Sequence, residues 1–302
     1  MLKIPEHDCP IVKILENSRV QLYMKREDLI HSQISGNKYW KLFYNVNEYL
    51  AKISSQPKII TFGGAFSNHI AAVAAFGHLY NIPTVGIIRG HELETSWQEN
   101  PTLLQAAENG MVFKFVTRQV YRDKDLLARV IRKEQPNALL IPEGGTNASA
   151  VEGIKMMLNE HTKDFNYLCT AVGTGGTVSG LSKFCLDNQK VIAFSVVKDS
   201  SLPKVVKGFS NRQNLEWVEA SYGGYGKINE EIVEFINRFK KQNGIPLDPI
   251  YTGKMMMRLK SLIEEEYFPV GSRILAFHTG GLQGIEGANL SLKRKNQPLI
   301  EV

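Results

Sequence analysis

Cysteine is scarce, and the few present stand in the wrong places for chemistry of their own. The 302-residue chain has three, Cys9, Cys169 and Cys185. No two are spaced as CxxC or as a metal-ligand pair, so neither a disulfide framework nor a metal centre is expected. Cys169 lies in an apolar run, where a thiol serves as a small core residue. Long hydrophobic runs are missing too. None reaches ~18 residues and the first residues lack an apolar h-region, which reads as neither a membrane span nor a signal peptide. A cytoplasmic protein is the expectation. Charge of one sign is never massed: 36 Lys and Arg face 30 Asp and Glu, a net charge of +6. Positives mix with negatives, as in Lys25-Arg26-Glu27-Asp28, and the basic cluster Lys293-Arg294-Lys295 reads as a solvated tail. With no basic stripe interleaved with aromatics, nucleic-acid binding is not expected. The modest excess suits anionic substrates.

What is present is ordinary globular composition, 43% hydrophobic and 22% charged, enough for two compact domains. Strands are expected at 20–24, 58–62, 84–88, 111–116, 138–141, 167–172, 191–197 and 273–277. Helices are expected from residue 38, from near Ser67, at 101–108, 123–134 and 149–161, after the 173–177 loop, and at 228–241 and 254–267. Residues 200–214 read as irregular. Such alternation, punctuated by glycine turns, indicates an α/β protein with two open parallel-sheet domains. Boundaries near residues 41 and 145 make 42–145 a small α/β domain inserted in a large one formed by 1–41 and 146–302.

The chain is organised around Gly36-Asn37-Lys38. Here a turn opens an apolar-periodic helix, with Leu42, Val46, Tyr49, Leu50 and Ile53 at helical spacing. A helix start carries about +0.5 of a charge, so a lysine there sheds its proton readily, as amine nucleophiles must. An isolated lysine at a helix start is usually just solvated, and three further features give this one a context. Gly173-Thr174-Gly175-Gly176-Thr177 follows an apolar strand and precedes a helix. It reads as a phosphate cup of backbone N–H groups, or as a plain glycine turn, and is neither GxGxxG nor a Walker loop. Ser67-Asn68-His69 begins a helix. Ser67 and Asn68 are good caps, or Asn68 contacts a ring hydroxylate while Ser67 and the free N–H groups hold a carboxylate. Tyr225 and Tyr251 stand in glycine- and proline-rich loops, where a phenol either acts as acid or base or packs the loop. His278-Thr279-Gly280-Gly281 closes the last strand, the end at which open α/β sheets bind ligands. A phosphate, a ring and an aldehyde for the lysine describe pyridoxal 5′-phosphate.

Gly36-Asn37-Lys38, Ser67-Asn68-His69, the 173–177 loop, Asp248-Pro249-Ile250-Tyr251-Thr252-Gly253-Lys254 and His278-Thr279-Gly280-Gly281 resemble the 1-aminocyclopropane-1-carboxylate deaminase / D-cysteine desulfhydrase family. That family belongs to the tryptophan-synthase-β-like, fold type II pyridoxal-phosphate enzymes. The matches run in family order from about Lys25 to Gly281. The resemblance implies a cofactor in the cleft between two α/β domains, a small amino-acid substrate and a homodimer. It implies that Lys38 is the covalent anchor, that Gly173, Thr174, Gly175, Gly176 and Thr177 hold the phosphate, and that Asn68 contacts the ring oxygen. Ser67, Asn68, His69 and Tyr251 then lie at the substrate, and Ser67, Tyr225 and Tyr251 join Lys38 as catalytic candidates.

Cyclopropane-ring openers of the family are expected to have a glutamate after the tyrosine and a leucine after the strand histidine. Thr252 and Thr279 stand there instead. A threonine cannot keep the ring nitrogen protonated, which leaves a weaker electron sink. That sink serves β-elimination with a good leaving group better than opening a carbon ring, so a D-cysteine desulfhydrase-like lyase is the expectation. Alternatives are the cyclopropane deaminase, elimination or racemisation on another amino acid such as serine, and a non-catalytic small-molecule or cofactor-binding protein. The chain departs from the family at Ala65-Phe66, usually isoleucine-glutamine, and at Ile70-Ala71, usually arginine-glutamine. Both bear on the substrate rather than the cofactor.

Overall fold

A computed structural model describes residues 2, 8–34, 36–224 and 226–301. In chain order its elements are β1 (Ile11–Glu16), β2 (Val20–Lys25), α1 (Asn37–Leu50), β3 (Ile59–Gly64), α2 (Asn68–Leu79), β4 (Thr84–Arg89) and α3 (Pro101–Glu108). They continue with β5 (Val112–Val116), α4 (Arg118–Arg122), α5 (Lys124–Glu134), β6 (Leu139–Ile141), α6 (Ala148–Gly153), β7 (Tyr167–Val172), α7 (Gly176–Phe184) and β8 (Lys190–Ser195). The last are α8 (Leu202–Lys207), β9 (Leu215–Glu219), α9 (Glu230–Asn243), α10 (Thr252–Glu264), β10 (Ser272–Phe277) and α11 (Gly284–Arg294).

The strands form two sheets, one of order β1-β2-β10-β7-β8-β9 and one of order β5-β4-β3-β6. Every pairing is parallel except β1 with β2, which is antiparallel and bulged between Lys13 and Leu15. Helices cover both faces of each sheet, which is why the central strands are apolar without alternation. In β10, Leu275 and Phe277 enter one core while Ile274 and Ala276 enter another. In β3, Ile59 faces the first core and Ile60 and Phe62 a third, with Ile87 and Tyr121. Each such large side chain contributes about 1.5–3 kcal/mol by burial.

The charged stretch after β2 is the main surprise of the core. Lys25, Glu27 and Asp28 are buried. Lys25 Nζ lies 2.6 Å from Glu27 Oε1 and donates to Met157 O at 3.0 Å, while Trp40 Nε1 donates to Glu27 Oε2 at 3.1 Å. Buried charges persist only when paired and hydrogen-bonded. This network clamps the first turns of α1 and so fixes where Lys38 emerges.

The helix expected over 149–161 is broken. It runs to Gly153, continues as a 3-10 turn (Ile154–Met157) and stops before a second one (Glu160–Thr162). A Cβ on Gly153 would fall 2.4 Å from Trp40 O, so glycine lets α6 press directly on α1. Strands β1 and β9 and helices α4, α8 and α11 lie outside the sequence expectation.

Candidate active site

A cavity of about 760 Å³ opens at the carboxyl ends of both sheets. Its walls include Gly64 and Arg89 at the ends of β3 and β4, Glu143 after β6, Gly173 after β7, Val197 after β8 and Thr279 after β10. Strand ends are where open α/β sheets leave room for ligands.

Lys38 reaches this cavity from the first turn of α1. The turn before it requires glycine. Gly36 has φ +67°, and a Cβ there would sit 1.9 Å from Thr279 O. The lysine turn therefore rests directly on the loop after β10. Asn37 ties it to the glycine loop as well: its Nδ2 donates to Thr177 Oγ1 at 2.5 Å, and its Oδ1 accepts from Lys38 Nζ at 3.2 Å. Burial lowers the basicity of the Lys38 amine to a pKa of about 8, against an opposing push from Asp248. Desolvation favours the neutral amine, so a fraction of it is free of its proton at neutral pH.

The glycine loop forms a cup. Gly175 has φ +86° and caps α7, whose first-turn residues Gly176 and Thr177 line the cavity and whose first N–H groups lack intrahelical partners. A Cβ on Gly176 would lie 2.7 Å from Thr146 Oγ1 and 3.1 Å from Lys41 Nζ. Thr146 and Thr174 hydroxyls bond each other at 2.6 Å. Lys41 is only 2% exposed and has no ion pair among the described residues. Its basicity falls well below the ordinary range, first through burial and then through Lys38. An unpaired buried lysine beside a positive helix start is costly. A bound dianion removes that cost, so these residues fit the phosphate end of pyridoxal phosphate. Lys41 escaped the sequence reading, although the i, i+3 spacing from Lys38 puts both amines on one helix face.

Ser67 caps α2 and accepts from Ile70 N–H at 3.3 Å. Asn68 reaches the opposite loop: a Cβ on Gly281 would fall 2.7 Å from its Nδ2, and one on Gly284 3.3 Å from its Oδ1. His69 is fully buried behind them. Thr61 donates to Ile141 O at 2.9 Å, so its oxygen accepts from His69 Nε2 at 2.8 Å and Nε2 carries the proton. His69 Nδ1 is buried without a partner among the described residues. Burial, Lys38 and Lys41 hold the imidazole well below its ordinary pKa, so it is neutral.

Two expected residues are placed differently from the expectation, or outside the structure. Thr252 is fully buried and does not line the cavity. Its hydroxyl donates to Asp248 Oδ2 at 2.6 Å and accepts from Asp248 N–H at 3.0 Å. It closes the start of α10 rather than facing a ring nitrogen, because the local cap outcompetes the cavity for that hydroxyl. Thr279 does line the cavity. Tyr225 lies outside the described residues. Tyr251 lines the cavity with its ring against Gly173, where a Cβ would be 2.9 Å from Cε1 and 3.4 Å from the phenol oxygen. His278 is a pin for the neighbouring loop: it bonds Pro246 O at 2.8 Å and accepts from Gly280 N–H at 3.2 Å.

The chain is 28% identical over 281 residues to a putative 1-aminocyclopropane-1-carboxylate deaminase of Pyrococcus horikoshii, covering 87% of this chain and 85% of that one. It is 28% identical over 297 residues to a mitochondrial bifunctional D-cysteine desulfhydrase/1-aminocyclopropane-1-carboxylate deaminase of Arabidopsis thaliana, covering 88% and 73%. A crystal structure of an ACC deaminase homologue superposes with a TM-score of 0.77 at 26% identity, over 95% of this chain and 94% of that one. The family profile for pyridoxal-phosphate dependent enzymes matches residues 4–280, and the chain belongs to that family.

Proposed function

We propose that this enzyme is a D-cysteine desulfhydrase-like lyase, converting D-cysteine and one water to pyruvate, ammonia and hydrogen sulfide. The reading rests on one observation. The two positions expected to carry a glutamate and a leucine in ring-opening relatives hold Thr252 and Thr279, and the Thr252 hydroxyl is committed to Asp248. No carboxylate stands at those positions to keep a ring nitrogen protonated.

Lys38 is the covalent anchor in this reading. Lys41, the 173–177 loop and the start of α7 hold the phosphate, and Asn68 orients the ring. When bound, pyridoxal phosphate supplies a handle for the amino group and an electron sink for the charge left at Cα. The protein does the rest. The α2 start and Ser67 bind the carboxylate of the amino acid. The Lys38 amine, with its pKa near 8, removes the Cα proton as a base tuned close to neutral pH. The Tyr251 phenol faces the same cavity and gives a proton to the departing sulfur. His69 stays neutral and adds no charge beside the amine.

The two sheets mark two domains in this proposal, 1–41 with 146–302 and 42–145, and the enzyme works as a cytoplasmic homodimer. The second reading, a cyclopropane deaminase giving 2-oxobutyrate and ammonia, is favoured by the name of the Pyrococcus horikoshii relative, whereas the Arabidopsis thaliana relative is named for both activities. Purified protein supplied with either substrate separates them. Sulfide from D-cysteine at a higher kcat/KM than 2-oxobutyrate from the cyclopropane acid is expected. The reverse order rejects the proposal, and turnover of neither leaves an enzyme of another amino acid, such as serine, or a binding protein.

A further inference from the structure

Helix α11 gives one whole face to the cavity, and the proposed reaction uses none of it. Gly284, Gly287, Ala288, Ser291, Leu292 and Lys295 line the cavity. Their spacing, i, i+3, i+4, i+7, i+8 and i+11, is that of a single helix face followed from end to end. The near end lies at a residue of the proposed site: a Cβ on Gly284 would be 3.3 Å from Asn68 Oδ1. The far end lies about 16 Å away, since a helix rises about 1.5 Å per residue and Lys295 closes this one. A cysteine is much shorter, because one extended residue covers about 3.5 Å. The cavity therefore continues well beyond the sulfur of a cysteine bound at Ser67 and Lys38.

The wall beside this arm is apolar. Phe66 precedes Ser67, lines the cavity and is 57% exposed. Its ring is nonetheless seated: a Cβ on Gly287 would fall 2.6 Å from Phe66 Cδ1 and 2.8 Å from Cε1. Even an alanine methyl would overlap the ring, so glycine is what lets it rest on the helix. A phenylalanine held on one side and open over more than half its surface contributes little to a core. It is an apolar surface presented to the cavity, the usual lining of a ligand site. Among the α11 residues on the cavity, none before Lys295 is charged.

We infer that Phe66 and the α11 face form a side-chain arm, and that the substrates of this enzyme include cysteines whose sulfur carries an apolar alkyl group. The inference rests on the proposed lyase reading and extends its leaving group from sulfide to a thiol. The step is the same elimination. Lys38 takes the Cα proton, the Cβ–S bond breaks with its electron pair going to sulfur, and sulfur takes a proton from Tyr251 to leave as the thiol. The three-carbon enamine that remains takes up one water and gives pyruvate and ammonia. Nothing is oxidised or reduced. The alkyl group lies along α11 with Phe66 against it.

The test reads binding first, so that it does not depend on turnover. D-2-aminobutyrate, D-norvaline, D-norleucine and D-2-aminoheptanoate lack a leaving group and differ by one methylene each. The absorbance change of the cofactor-loaded protein gives the Kd of each. Every methylene that enters the arm is expected to tighten binding about two- to fourfold, or roughly ten- to 60-fold across the series. Ser291→Trp fills the arm from an exposed position, and Phe66→Ala removes the open wall. Each is expected to shrink the spread below about threefold. With turnover, S-butyl-D-cysteine is expected to release butanethiol at a kcat/KM about tenfold above that for sulfide from D-cysteine, and Ser291→Trp to abolish that advantage. A wild-type spread below about twofold overturns the inference, as does a spread that survives intact in both variants. Either result leaves sulfide release from D-cysteine standing, which separates the arm from the lyase reading. A loaded protein whose absorbance responds to no amino acid rejects that reading, and the arm with it.

Discussion

Replacing Gly176 by alanine tests the phosphate cup without touching a charged group. Gly176 opens α7 and is not among the glycines with positive φ, so the main chain accepts alanine. The added methyl meets Thr146 Oγ1 at 2.7 Å and Lys41 Nζ at 3.1 Å. Thr146 and the end of Lys41 can swing aside, so the cofactor-free fold survives. What is displaced is the cation and hydroxyl that the dianion needs. Losing one charge-assisted hydrogen bond costs about 1.5–3 kcal/mol, which is roughly a ten- to 150-fold weaker Kd for pyridoxal phosphate. The assay is a titration of the cofactor-free protein with pyridoxal phosphate, followed by absorbance and by tryptophan fluorescence. Thermal denaturation of the unloaded variant controls for folding. A Kd within about twofold of wild type, far below the loss of even one such bond, in a folded variant would refute the assignment of this loop and Lys41 to the phosphate.

Other predictions follow from the same geometry. The rate at which cofactor-free protein takes up pyridoxal phosphate rises with pH through about 8, because only the neutral Lys38 amine attacks an aldehyde. The same depressed basicity also lowers stability below about pH 8, where the folded amine takes up its proton less favourably than the unfolded one does. Stability is therefore expected to rise between about pH 8 and the ordinary lysine value, to the extent that Lys38 governs it, as pH-resolved denaturant titration would show. Thr252→Val removes a buried hydroxyl with two partners and is expected to cost about 1–3 kcal/mol in urea unfolding. All three cysteines are buried, and the Cys9 thiol is pushed up to about 12 by burial and Glu27. A thiol reagent is therefore expected to react with none in the native protein and all three after denaturation.

The α/β class was legible because β3, β7, β8 and β10 are apolar runs that end in glycine or polar turns. Burial on both faces makes them so. Edge strands carry less of that signal. β1 (IVKILE) and β9 (LEWVE) mix charge with apolar residues because they pack on fewer neighbours. α11 hid behind its own glycines: Gly284 and Gly287 break the apolar pattern, yet the gap at Gly287 accommodates the ring of Phe66, whose Cδ1 would be 2.6 Å from a Cβ there. In the site, glycine-rich loops and the Gly-Asn-Lys turn stand out because few other uses require such residues. Lys41 looked like any helix lysine, and its burial comes from the distant 146 and 176 segments. Thr252 was misplaced for the opposite reason. The sequence Asp248-x-x-x-Thr252 already contains a cap, and reading that local bond first would have kept the hydroxyl out of the cavity.

The account depends on Lys38 being the amine that holds the cofactor while its neighbour Lys41 is not. Borohydride reduction of the cofactor-loaded protein, followed by peptide mapping, locates the attachment directly. The reduced pyridoxyl group is expected on Lys38 alone; its recovery on Lys41 or another lysine, or on none, would contradict the account.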